Sequence, residues 1–338
     1  MKLNGMFLTL CAMAIFGGCS DDSDTPDSRS TCAIEFSRIH VNNISRNSAA
    51  KIPFTQFNVY GFTDSPEHYI YDGAVVTHRA NDIWDCEQKE YWYPGHSYWF
   101  SAIAPALAEG VSFERTTLPA DRYYGGGTLR YRPVENGAKL DLLYAFSGEI
   151  TTHDTGEDRY PPVELEFNHQ LSQVQFMFYN DLGNPHFFIN VPSITLGNLY
   201  SEGVIDLNQP VPKWERSGWE TFWTGMGRVD IIKADKPKIS ASVYLLPIKM
   251  SGAIIQLQTQ LFYTANPDDD EGFQMSDVKT FYIDFPEIDF KPGHSYTLVA
   301  RLNSTNVEGP GEELTPISFD IEDNGWHYTT GGIDVPVK

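Results

Sequence analysis

The chain has 338 residues, 41% hydrophobic and 14% aromatic, with 45 acidic against 24 basic side chains and a formal net charge of −21. That is enough apolar material for one large core or two of ordinary size, and the negative charge spread along the chain repels phosphate backbones, which argues against nucleic acid as a partner. The longest apolar stretch, Met6 to Phe16, is too short to cross a ~30 Å hydrocarbon layer as a helix.

That stretch follows a short start carrying Lys2 and is followed by Gly17, Gly18 and Cys19. This is the layout of a secretory signal over residues 1–18. Phe16-Gly17-Gly18-Cys19 resembles the lipobox of bacterial lipoproteins, in which the cysteine receives the lipid, with Phe16 where leucine is usual. Two or more acyl chains give stable anchoring where one does not, so Cys19 is the expected lipidation site and lipid the expected contact with the membrane. The competing reading is an ordinary secreted protein cut nearby. Residues 19–30 are acidic and polar, with nothing to bury, and are expected to form a solvated tether. Ser20-Asp21-Asp22 resembles the signal that sends Bacteroidetes lipoproteins to the outer face of the outer membrane, which implies a cell-surface location.

Cys32 and Cys86 remain once Cys11 leaves with the signal and Cys19 takes lipid. In an oxidising compartment they can pair, and two buried thiols are the equal alternative. Beyond the tether, short alternating or apolar runs rich in Val, Ile, Thr, Tyr, Phe and Trp are broken by Gly, Pro, Asn and Asp. This predicts an all-β chain. Strands are expected at 33–41, 57–63, 97–104, 163–167, 173–179, 241–246, 254–263, 280–285, 296–302 and 317–321. Pro94-Gly95-His96-Ser97-Tyr98 recurs as Pro292-Gly293-His294-Ser295-Tyr296. Pro-Gly suits the centre of a type II turn, so each copy is expected to open a strand, one in each of two domains of similar plan. A crossing between them is expected in 147–162, giving an N-terminal domain over 31–156 and a C-terminal domain over 157–338 with a tail from 304.

Asp141-Leu142-Leu143-Tyr144-Ala145, followed by Val163-Glu164-Leu165-Glu166-Phe167-Asn168-His169-Gln170-Leu171-Ser172-Gln173-Val174, resembles the paired motifs of the fimbrillin family of Bacteroidetes surface proteins. Ile34-Glu35-Phe36, Phe57–Phe62, Tyr91–Pro94, Ile194–Leu199 and Leu245-Leu246-Pro247-Ile248 add to the resemblance in order and spacing, although the last lacks the family's usual glutamine. The resemblance implies two tandem transthyretin-like β-sandwich domains, with His169 a strand residue opening the second. It also implies a fimbrial subunit or fimbria-associated adhesin whose partners are other subunits, joined by strand addition after a protease removes the first strand. Arg46, in a polar stretch after the first strand, is the candidate processing site, with Arg29, Arg38 and Lys51 as competitors. Residues 333–337 form a short apolar alternation that suits either a donor strand or a cap. The alternative within the family is a permanently anchored surface lipoprotein that binds a glycan, a protein or another surface receptor without polymerising.

Catalytic patterns are sparse. The nine histidines form no metal-spaced pair, and no nucleophile elbow or phosphate loop appears, so no enzyme activity, cofactor or metal site is expected. Gly125-Gly126-Gly127 reads as a flexible loop and Asp268–Gly272 as a solvated hairpin tip. Trp214, Trp219, Phe222 and Trp223 cluster in a stretch read as loop, and Trp219 and Trp223 are the candidate glycan contacts.

Overall fold

The computed structural model describes residues 32–42, 52–64, 67–79, 83–115, 126–133, 139–153, 160–308 and 317–325. Cys19, Arg46, Arg29, Lys51 and the segment 333–337 lie outside the described residues.

Nine strands belong to the first part of the chain: β1 Phe36–Val41, β2 Gln56–Asp64, β3 Glu67–His78, β4 Trp84–Cys86, β5 Ser97–Ala104, β6 Val111–Arg115, β7 Gly127–Tyr131, β8 Leu143–Thr151 and β9 Val163–His169. Seven of them close a barrel in the order β1-β4-β3-β2-β5-β8-β9. Period-two alternation turns Phe57 and Val59 of β2, Phe100 and Ala102 of β5, and Val163, Leu165 and Phe167 of β9 into one core. The core is aromatic: Phe57 lies 5.3 Å from Trp84 and 5.4 Å from Phe167, centroid to centroid.

Twelve more strands follow: β10 Ser172–Asn180, β11 Phe187–Tyr200, β12 Gly203–Asp206, β13 Trp214–Arg216, β14 Thr221–Ile232, β15 Lys238–Ile239, β16 Val243–Leu245, β17 Ile254–Tyr263, β18 Phe273–Gln274, β19 Lys279–Asp284, β20 His294–Leu302 and β21 Phe319–Gly325. One sheet runs β15-β10-β20-β21 with β16 also on β10, and a second runs β14-β11-β17-β18 with β19 also on β17. Val174, Phe176 and Phe178 from the first sheet meet Ile194, Leu196, Ile255 and Leu257 from the second in one core, the packing of a β-sandwich. A single π-turn at Ser304–Glu308 is the one helical element among the described residues.

Three features differ from the sequence reading. Ser147–Thr151 completes β8, and β9 pairs with β1 and β8 in the barrel, so the chain passes to the sandwich between His169 and Ser172. The reason is packing: the alternating apolar residues of β9 are buried among those of the barrel. The aromatic stretch at 214–223 is not a loop but contains β13 and the start of β14, and Gly127 opens β7.

The two parts share a third core. β6 and β7 pair with β12 and β13 in a four-stranded sheet, through contacts such as Ile205 against Leu129. Leu129, Tyr131, Leu142 and Tyr144 from the first part bury against Leu171, Ile205, Trp214 and Leu246 from the second. At this junction His169, the last residue of β9, places Nδ1 2.9 Å from Asp141 Oδ1. The two halves of the family-like motif thus meet as a buried polar contact.

Candidate assembly site at the first strand

β1 lies between β4 and β9, and its ties to them differ. It runs parallel to β9, pairing Phe36 with Val163, Ile39 with Leu165, His40 with Glu166 and Val41 with Phe167. Against β4 it makes one antiparallel pair, Phe36 with Trp84, extended by a bridge between Ala33 and Tyr91. Parallel pairing is slightly weaker per residue than antiparallel pairing. A bulge between Phe36 and Ile39 interrupts it further, with Arg38 at φ 53°.

The side chains of β1 and the residues before it are deeply seated. Ile34, Phe36, Ile39 and Val41 are each at most 5% exposed. Phe36 touches Phe57, Tyr71 and Phe100 at centroid distances of 6.0, 5.9 and 6.0 Å. Four such side chains contribute roughly 6–12 kcal/mol by burial, comparable to the whole stability of an ordinary domain. Removing β1 would therefore open a slot floored by aromatic rings and edged by the unpaired backbone of β9 and β4.

The outer side of β1 is held by polar contacts. Arg38 forms an ion pair with Glu164 on β9, both largely exposed, and Asn42 Nδ2 donates to Asn168 Oδ1 at 2.8 Å. Asn42 N donates to Phe167 O at 2.7 Å and Val163 N to Glu35 O at 2.8 Å. At the Asn42 end the slot borders a cleft of about 580 Å³, whose walls include Asn168, His169, Pro212 and His294. Of the competing cleavage positions, Arg38 sits inside the paired strand, whose backbone would have to leave the sheet before a protease could bind it.

At the start of β1, Tyr160 N donates to Cys32 Sγ at 3.4 Å. Cys32 packs against the barrel core, which also contains Cys86. Burial raises the Cys86 thiol pKa above its ordinary value.

The structure separates the two tryptophans named from sequence. Trp219 precedes β14 and is 91% exposed, with the Arg216 guanidinium 4.9 Å from its ring and 4.1 Å from that of Tyr200. Trp223 lies within β14, half-exposed. Trp214 is buried in the shared core. Asp270, at the expected hairpin tip, pairs with Lys233 Nζ at 2.8 Å, which holds its carboxyl below the usual range. His96 and His294 each face a carboxylate, Asp64 at 3.2 Å and Asp323 at 2.8 Å.

A barrel joined to a sandwich, both built of antiparallel strands except where β1 meets β9 and β10 meets β20, defines an all-β architecture. The sequence profile of the fimbrillin-like family matches residues 50–323, and the chain belongs to that family. Among solved structures, a fimbrial protein from Bacteroides vulgatus is similar at 15% identity with a TM-score of 0.59, covering 87% of this chain and 99% of its own. A candidate cell-adhesion protein from Bacteroides ovatus is 14% identical with a TM-score of 0.49, covering 90% and 100%. The fimbrial anchor protein Mfa2 from Porphyromonas gingivalis is 12% identical with a TM-score of 0.39, covering 87% and 98%. No match is found among the curated proteins.

Proposed function

We propose that this chain is a non-enzymatic fimbrial subunit or fimbria-associated adhesin, exported as a lipoprotein on Cys19 to the outer face of the outer membrane. It is assembled by strand exchange once β1 has been removed by cleavage after Arg46. The observation that carries the reading is the standing of β1. Together with Ile34 just before it, it supplies four core side chains, yet its chain neighbours on either side, 19–31 and 43–51, hold the lipidated cysteine and the candidate cleavage site. One cut in 43–51 frees strand and lipid together, so anchoring becomes a transit state. The exposed slot is then refilled by an incoming strand that presents apolar side chains at alternate positions.

In this reading the chain comprises a barrel unit ending at His169 and a sandwich unit beginning at Ser172, and 331–338 supply the donor. Deleting residues 331–338 is the test: oligomer ladders of the processed protein disappear if the tail donates and persist if it does not. A permanent anchor that keeps β1 is the second reading, favoured by the deep burial of Phe36.

A further inference from the structure

The outer face of the sheet β14-β11-β17-β19 carries a second feature, independent of strand exchange. Its outward side chains fall into cross-strand rows. Gly225, Thr195, Gln256 and Tyr282 stand side by side in one row. Gly197, Ile254 and Asp284 form the next, with Trp223 lying over Gly197 at its β14 end. Ser193, Gln258 and Thr280 form the third.

Two aromatic rings bound this surface. A Cβ on Gly197 would come within 2.5 Å of the Trp223 indole, so glycine there lets the ring lie down on the strand. On the far strand Tyr282 is 69% exposed, and its hydroxyl accepts a hydrogen bond from Gln256 Nε2 at 3.3 Å. Between the rings lie Thr195 and Gln256. Beside them on β14 a Cβ at Gly225 would meet nothing within 4 Å, so packing does not call for glycine there, whereas Gly227 holds φ 88° and is fixed by its backbone. Glycine in a strand weakens it and often marks a place where a ligand approaches the backbone closely. From Gly197 on β11, under the indole, to β19 is two strand spacings, about 10 Å, the length of a disaccharide.

We infer that the face bounded by Trp223 and Tyr282 is a binding site for a neutral oligosaccharide. The flat C–H faces of two sugar rings would lie on the two aromatic rings. The intervening hydroxyls would exchange hydrogen bonds with the Thr195 hydroxyl and the Gln256 and Gln258 amides, which both donate and accept. Charge selects the ligand class. The three rows hold one ionised side chain, Asp284 at the outer edge, in a protein of net charge −21, so sialylated and sulfated glycans are repelled while neutral ones are not. Trp219, stacked with Arg216 before β14, is not needed for the site.

The test uses the full chain on a printed array of neutral and sialylated oligosaccharides, followed by titration with the best neutral binder. Binding to neutral glycans is expected, with about a tenfold or greater loss of affinity in Trp223→Ala and Tyr282→Ala. No loss is expected in Leu107→Ala, an exposed residue of the barrel part. Gly225→Leu serves as a second variant, because a Cβ there meets nothing within 4 Å and the side chain would stand beside Thr195 and the Trp223 ring, in the way of a sugar; it is expected to keep its unfolding midpoint and lose binding. Absence of neutral-glycan binding, a preference for sialylated glycans, or equal affinity in Gly225→Leu would each overturn the inference. None of these readouts depends on whether the chain polymerises.

Discussion

Tyr98 and Tyr296 sit in the same local frame in β5 and β20. Each is buried, each accepts on its hydroxyl a hydrogen bond from the backbone N–H five residues earlier, that of Tyr93 and that of Lys291, and each packs edge-on against the aromatic six residues earlier. The centroid distances are 4.7 Å for Trp92–Tyr98 and 5.0 Å for Phe290–Tyr296. The intervening Pro-Gly turns place Gly95 at φ 76° and Gly293 at φ 72°, the left-handed region that glycine enters without strain. Tyr98→Phe and Tyr296→Phe should each remove about 1–3 kcal/mol, the cost of leaving a partly buried N–H without its acceptor. Urea unfolding followed by circular dichroism measures it, and a change below ~0.5 kcal/mol in both would show that the hydroxyls are incidental.

Burial also makes stability depend on alkaline pH. Tyr98 and Tyr244 are both pushed up to about 12 by desolvation, and Tyr71 and Tyr131 are raised by the same cause. A phenol that titrates near 10 when unfolded keeps its proton in the folded state across that interval. The folded state then binds more protons than the unfolded one, so the stability these groups contribute is complete below about pH 10 and falls as pH rises towards 12. Urea midpoints taken between about pH 9 and 12 should decline, and more gently in Tyr98→Phe and Tyr244→Phe.

At the junction of barrel and sandwich, Asp141→Asn weakens the contact with His169 that joins the end of β9 to the segment leading into β8. A hydrogen bond involving a charged group is worth about 1.5–3 kcal/mol, and a loss of that order is expected. Because Leu142, Leu171 and Leu246 share the core around it, the described parts should unfold in one thermal transition in the native protein. Two separate transitions in the native protein, read by calorimetry, would show that the shared core does not couple the two parts.

Much of this was legible in the residues because alternation is a local signal. The expected strands at 97–104 and 254–263 coincide with β5 and β17, and the repeated pentapeptide located two equivalent turns. Other features depend on contacts that sequence spacing does not carry. β9 alternates equally well as the last strand of a barrel or the first of a sandwich, and only its buried partners on β1 and β8 decide. The stretch at 214–223 lost its strand signal to Gly218 and charged residues, while Trp214 is held by Leu246 and Gly203 from elsewhere in the chain. That Trp223 and Tyr282 end on one face of the sheet in adjacent rows is a matter of register, which no local pattern reveals.

The seating of β1 leads to a contrast between its two faces. Phe36→Ala should cost about 3–5 kcal/mol, the usual penalty for a large ring removed from a filled core. Arg38→Gln should change stability by less than ~1 kcal/mol, because its ion pair with Glu164 is solvent-exposed. Thermal unfolding of the two variants distinguishes them; equal effects would mean that β1 is held by its outer contacts rather than by its apolar face.

Most directly, the full-length protein can be treated with an arginine-specific protease and the products followed by N-terminal sequencing and by gel without boiling. The account predicts a new N-terminus at Asn47, loss of the lipidated first strand, and oligomer ladders that fail to form in Arg46→Ala. Polymers whose subunits all still carry Cys19 and β1 would contradict it.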